Sequence, residues 1–253
     1  MIIIKNKTQI ESIRESCTLT AQALELTAEI IKPGISTKKL DLEIESFILS
    51  HGAQPAFKGY HGFPASACIS IDEEVVHGIP TENRLIEKGM LVSVDVGVLK
   101  NGFYGDAAFT FAIGEVSDEK KRLMEVTRQS LLSGINELKA GVRLGNLSNT
   151  IQTYVESNRF SVVRDLVGHG VGVALHEDPS IPNFGKANRG PLLKAGMVLA
   201  IEPMVNAGSF EVETLHDGWT VVTKDKKPSA HYEYTVLVTE HGYEVLTDYQ
   251  IRS

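Results

Sequence analysis

Cysteine is scarce in this chain: Cys17 and Cys68 are the only two among 253 residues, and they form no C-x-x-C pair. That excludes a disulfide scaffold and a thiolate zinc ribbon, and it reads as two reduced thiols in a cytosolic protein. Long hydrophobic runs are also missing. Ile2-Ile3-Ile4 is too short for a signal-peptide core, and no stretch approaches the ~20 apolar residues of a membrane span. Positive charge is not in excess: 25 Lys and Arg face 32 Asp and Glu, for a formal charge of -7. Such a chain offers no basic stripe for nucleic acid. Low-complexity segments are absent. What is present is 42% hydrophobic residues, enough in a chain of this length to bury a sizeable core.

An internal repeat organises the chain. Lys32-Pro33-Gly34 recurs as Lys139-Ala140-Gly141, an offset of 107 residues. Leu40, Ile44, Phe47 and Ile48 then correspond to Leu147, Ile151, Tyr154 and Val155, with helical spacing. The same offset relates Gly89-Met90-Leu91-Val92-Ser93-Val94-Asp95 to Gly196-Met197-Val198-Leu199-Ala200-Ile201-Glu202, each an apolar run ending in an acid. The pattern predicts helices at 7–31, 36–51, 118–138 and 144–158. Strands are expected at 66–71, 91–98, 103–113, 161–166, 197–206, 218–223 and 231–239. The short turn Gly114–Asp118 joins halves of about 1–115 and 116–253, which are expected to pack as a single α+β domain.

The two matched acids share a strand face with a small residue two positions earlier, Ser93 before Asp95 and Ala200 before Glu202. Asp106 and Glu233 lie in two further strand-like runs. Twofold pseudosymmetry can bring all four to the centre of a sheet. Buried carboxylates must be offset by cations or take up protons. Two divalent ions match four carboxylates in charge, and oxygen ligands with some imidazole suit manganese, iron, cobalt or zinc. Two such ions can share a water and lower its pKa.

Three histidines stand out. His169 is flanked by glycines in Gly168-His169-Gly170-Val171-Gly172, His176 follows in Leu175-His176-Glu177-Asp178-Pro179, and His77 lies in Val76-His77-Gly78-Ile79-Pro80. The glycines remove bulk and free the backbone. Their spacing does not match a dinucleotide fingerprint.

With these motifs, together with Gly105-Asp106, Ile201-Glu202-Pro203-Met204 and Tyr232-Glu233, the sequence closely resembles bacterial type I methionine aminopeptidases over nearly its whole length. The resemblance implies the pita-bread fold, in which helices back a curved antiparallel sheet in pseudo-twofold halves. It implies two divalent metal ions (Co, Mn, Fe or Zn) held by Asp95, Asp106, His169, Glu202 and Glu233. Asp106 and Glu233 would bridge both ions; Asp95 would complete one shell, His169 and Glu202 the other. His77 and His176 would contact the substrate and stabilise the tetrahedral intermediate, and Glu202 would handle protons. The methionine pocket maps onto Phe57, Tyr60, Phe63, Cys68, Leu175 and Trp219. Some members carry cysteine at the position of Phe57 and phenylalanine at that of Leu175; histidine is common where Tyr234 stands, and a basic residue where Val173 stands.

The implied activity is removal of the N-terminal methionine from nascent polypeptides when the second residue is small. The expected setting is a bacterial cytoplasm near the ribosome, with the protein a monomer and with no nucleic-acid or membrane partner. Thirty residues separate Glu202 from Glu233, too few for the helical insertion of type II enzymes, and no cysteine-rich extension precedes the core. Prolidases use the same metal fold, usually behind a large N-terminal domain. A binding protein on this fold would be expected to lose ligands, and a metal-storage protein would not need His77, His176 and an apolar pocket.

Overall fold

A computed structural model describes residues 1–251. Among these residues four α-helices and a set of antiparallel strands alternate much as the repeat predicts. Helix α1 spans Lys7–Ile30 and α2 spans Thr37–Ser50. In the second half α3 spans Asp118–Ile135 and α4 spans Gly145–Ser157. The first three start on side-chain caps. Asn6 accepts from the Gln9 N–H in a full capping box, Ser36 from Lys39 and Ser117 from Lys120, which satisfies amides left free in the first helical turn.

The offset of 107 survives in the hydrogen bonding. Gly34 N–H donates to Ile86 O (2.8 Å) and Gly141 N–H to Leu193 O (2.9 Å). Ile86 N–H donates to Ile35 O (2.9 Å) and Leu193 N–H to Val142 O (2.8 Å). Gly34 and Gly141 have φ of 92° and 86°, and Gly89 and Gly196 have 89° and 88°. These turns need a left-handed residue, which is why both copies retain glycine.

In the first half, strand Leu91–Lys100 is central. It pairs along its length with Phe103–Ala112 on one side, and with Ala67–Ile71 and the short Gln54–Pro55 on the other. In the second half, Val198–Ile201 lies between Gly168–Gly170 and Tyr234–Val238, with Glu177–Ile181 and Tyr243–Val245 at the edges. The halves meet where Glu233 N–H donates to Ala108 O (3.0 Å). Two threonines bracket that joint. Thr235 Oγ1 donates to Asp106 O (2.7 Å) and accepts from Asp106 N–H (3.2 Å). Thr110 Oγ1 does the same with the backbone of His231 (2.7 and 3.0 Å).

Helix α1 rests on the first sheet. A Cβ on Gly105 would come within 2.6 Å of the Cys17 backbone, so the approach depends on glycine. The core fills the space between helices and sheets, with Leu24, Ile44, Val94, Leu123, Ile151 and Val236 all buried. No helix among the described residues is long and apolar enough to cross a membrane.

Several expected strands are shorter or broken. The 197–206 run becomes Val198–Ile201 and Met204–Asn206, because Pro203 has no N–H for a ladder. The 231–239 run splits into Ser229–His231 and Tyr234–Val238 around Glu233. The runs at 161–166 and 218–223 shrink to Ser161–Val162 and Val221–Thr223. Both interruptions of long strands fall beside an acid, Glu202 or Glu233, and at Glu233 the backbone pairs with Ala108 of the first sheet.

Candidate metal centre and active site

Strand register explains how the acids meet. Gly97 stands opposite Asp106 and Asp95 opposite Ala108, so the two aspartates are diagonal neighbours on one sheet face. Cys68 is directly opposite Asp95 on the other neighbouring strand. In the second half His169 is opposite Ala200, and Ala200 and Glu202 share a face, so the small Ala200 leaves His169 room to lean toward Glu202. Glu233 joins from the junction with Ala108.

The glycines around His169 are needed for close packing, not for bending. Neither Gly168 nor Gly170 has a positive φ. A Cβ on Gly168 would lie 2.4 Å from Ala200 O, and one on Gly170 would lie 2.3 Å from Asp178 O. His77, in contrast, does adopt a left-handed φ of 59°, a conformation non-glycine residues seldom hold without cause.

All the side chains named above as candidate ligands, histidines and pocket walls border one cavity of about 600 Å³. Asp106, His169 and Glu233 offer donor atoms within 4.8 Å of one another, and so do Glu202, His231 and Glu233. Asp95 stands outside both compact groups, on the Cys68 side of the centre. His169 Nε2 is 3.6 Å from Glu202 Oε1 and 3.9 Å from Asp106 Oδ2.

The electrostatics are those of an uncompensated anionic cluster. Burial raises Asp95 to about 7, with the Glu202 charge adding and His231 opposing. Burial raises Glu202 to about 8. Asp106 and Glu233 go well above the carboxylate range, first through burial and then through the neighbouring acids. Burial also lowers His169 to about 3 and His77 to about 4, with nearby histidines adding. Neutral imidazoles and crowded carboxylates are what cations would find favourable.

The donor atoms are also unpaired. Asp95 Oδ1, Asp106 Oδ1, Glu233 Oε1 and His231 Nε2 are buried without a hydrogen-bond partner, although such groups in folded proteins are nearly always satisfied. Orphaned oxygens converging with imidazole nitrogens fit divalent ions.

Beside the acids, Phe57, Phe63, Cys68 and Leu175 form a buried apolar cluster with Tyr60 and Trp219 packed against it. The Phe63 and Trp219 rings meet edge to face at 5.1 Å. A Cβ on Gly97 would come within 2.5 Å of the Phe57 ring, so that glycine admits the aromatic wall. At the other end, His176 Nδ1 lies 2.7 Å from Tyr60 Oη, and its ring stands 4.3 Å from that of His169.

Sequence reasoning missed His231, Met204 and Leu166, which the fold brings to the same region. His231 had a signal: it precedes Glu233 by two and so shares its face in an extended run. It also missed what holds the His176 loop. Glu177 Oε1 accepts from Val173 N–H (2.6 Å) and Ala174 N–H (3.0 Å), and Glu177 Oε2 pairs with buried Lys5 Nζ at 2.7 Å.

This geometry has known counterparts. Residues 11–240 match the model of metallopeptidase family M24. The chain is 54% identical over 247 residues to methionine aminopeptidase 1 of Bacillus subtilis, covering 98% of this chain and 99% of that one. It superposes on the crystal structure of methionine aminopeptidase from Thermotoga maritima with a TM-score of 0.97 at 45% identity, covering 98% of this chain and 100% of the other. It also superposes on a prolidase from Pyrococcus horikoshii with a TM-score of 0.80, but at 24% identity and over 65% of that chain; this likeness speaks for the pita-bread fold alone.

Proposed function

This chain belongs to metallopeptidase family M24 and is a metal-dependent peptidase that removes N-terminal methionine; we propose that its centre holds two divalent ions on Asp95, Asp106, His169, Glu202 and Glu233 and accepts substrates whose second residue is small. The observation that carries this reading is the convergence of four carboxylates, three of them with orphaned oxygens, on one cavity that continues into an aromatic slot. In this reading Asp106 and Glu233 would help to hold both ions, Asp95 would add to the hold on one, and His169 and Glu202 would add to the hold on the other. Manganese, iron, cobalt and zinc all suit such donors. When bound, the ions would polarise the scissile carbonyl and lower the pKa of the attacking water.

The remaining steps belong to this chain's own side chains. Phe57, Tyr60, Phe63, Cys68, Leu175 and Trp219 enclose an unbranched thioether, gaining apolar contact and polarizable sulfur–aromatic contacts. A charged side chain there would lose hydration with no partner. The Tyr60 hydroxyl lies 2.7 Å from Nδ1 of His176; in this reading it donates there, which leaves the proton on Nε2. That N–H and the imidazole of His77 donate to the oxygen on which charge develops. Burial keeps both rings neutral near pH 7, so they act as hydrogen-bond donors without carrying a net charge. Glu202 takes a proton from the attacking water and delivers it to the departing amine. The two pseudo-repeat halves work as one catalytic unit, since each supplies ligands. The setting that goes with this role is the cytoplasm near the ribosome, with the protein acting as a monomer on nascent chains.

The test is a tripeptide panel with protein stripped by chelator and then reloaded with manganese, cobalt or zinc. Cleavage of Met-Ala-Xaa and Met-Gly-Xaa is expected only after reloading, with Met-Leu-Xaa and Met-Lys-Xaa poor. Preference for Xaa-Pro with an arbitrary first residue would overturn the methionine reading in favour of a prolidase-like one.

A further inference from the structure

We propose that His231 is a sixth protein ligand of the metal centre, donating Nε2 to an ion shared with Glu202 and Glu233. The inference rests on the dinuclear reading above and adds a nitrogen donor to it. His231 is 1% exposed, and its Nε2 is buried with no hydrogen-bond partner. A buried ring nitrogen is expected to have a partner, from protein, water or metal. The nearest charged oxygen is Glu202 Oε2 at 3.5 Å. That is longer than the ~2.7–3.2 Å of an N–H···O bond. It matches two donors on one ion: ligand atoms ~2.1 Å from a common metal and roughly tetrahedrally disposed stand about 3.4 Å apart.

Glu202 therefore lies between two imidazoles. Its Oε1 faces His169 Nε2 at 3.6 Å, and its Oε2 faces His231 Nε2 at 3.5 Å. Donor atoms of Glu202, His231 and Glu233 fall within 4.8 Å of one another, as those of Asp106, His169 and Glu233 do. The backbone fixes His231 in this place. Its N–H and C=O both bond Thr110 Oγ1, Thr110 Oγ1 lies 2.8 Å from Ser93 Oγ, and the strand register sets His231 opposite Met204. The ring is thus held against the Glu202 oxygen that does not face His169.

Imidazole in place of an oxygen donor should also tune metal choice. Nitrogen ligands favour zinc and cobalt over manganese, whereas carbonyl and carboxylate oxygens suit manganese. His231→Gln keeps a polar side chain of similar reach but offers an amide. Zinc and manganese binding to stripped protein would be measured by competition with a fluorescent chelator, for the parent and the variant. The expected result is a loss of zinc affinity about tenfold or more beyond the loss of manganese affinity. A crystal structure of the zinc-loaded parent supplies the second readout, with His231 Nε2 expected about 2.0–2.1 Å from an ion. Equal changes for both metals, or an Nε2 more than about 3 Å from either ion in a zinc-loaded centre, would overturn the proposal while leaving the dinuclear reading intact. Failure of the parent to bind any divalent ion would overturn both.

Discussion

The ion pair between Lys5 and Glu177 offers a sharp test of how the His176 loop is held. The two side chains are 1% and 3% exposed and meet at 2.7 Å. Burial pulls the Lys5 pKa down, with the Glu177 charge opposing; the lysine is desolvated, not lying on the surface. Glu177 also accepts two backbone N–H groups just before Leu175 and His176. Lys5→Met keeps most of the apolar stem but leaves the Glu177 carboxylate buried and unpaired. Breaking a buried pair in this way destabilises by about 3–5 kcal/mol. At roughly 2–4 °C per kcal/mol for a chain of this size, the midpoint should drop by roughly 6–20 °C. The assays are thermal unfolding, for the midpoint, and urea unfolding, for the free energy, both on chelator-treated protein so that ion binding does not mask the loss. In Lys5→Met/Glu177→Gln the amide oxygen still accepts from Val173 and Ala174 and no charge is stranded. That double variant should recover most of the stability, because replacing both members of a buried pair is often near neutral. A single-variant loss below about 1 kcal/mol, the level of an exposed pair, would refute the argument.

Three other outcomes follow from the same geometry. In ion-free protein the four raised carboxylates hold protons that the unfolded chain has released above about pH 5, so they favour the fold at low pH and that stability is lost as pH rises toward about 7 for Asp95 and about 8 for Glu202. The lowered histidines oppose this only where unfolded imidazoles take up protons, below their ordinary 6.5. Stability of the chelated protein should therefore fall between pH 6.5 and 8, and a denaturation series with a rise over that window would contradict the electrostatic picture. Glu233→Ala removes the side chain common to both compact donor groups, so bound metal by atomic absorption should fall together with turnover; two retained ions would remove Glu233 from the ligand set. His176→Ala should lower kcat about 10²–10³-fold, the scale of one lost oxyanion donor, while metal content stays near the parent value. Loss of the ions would make His176 a ligand.

The sequence by itself determined the duplicated plan, because a repeat of 107 residues is a pattern of apolar spacing and turn glycines, both local properties. Asp95, Asp106, Glu202 and Glu233 were legible for the same reason: each ends or interrupts a strand-like apolar run, where an acid is conspicuous. The aromatic slot was legible only through likeness to a family, since Phe57, Phe63 and Trp219 are far apart in the chain and nothing local links them. Only the tertiary structure decided the rest. It broke the Glu202 and Glu233 strands beside the acids, showed that Gly168 and Gly170 are needed because neighbouring strands pass within the reach of a Cβ, and set buried Lys5 under the His176 loop. It also placed His231 against the far oxygen of Glu202. A histidine two residues from an acid is an ordinary pattern along a chain. It gains meaning when a sheet from one half and a sheet from the other close around it and leave its nitrogen with no other partner.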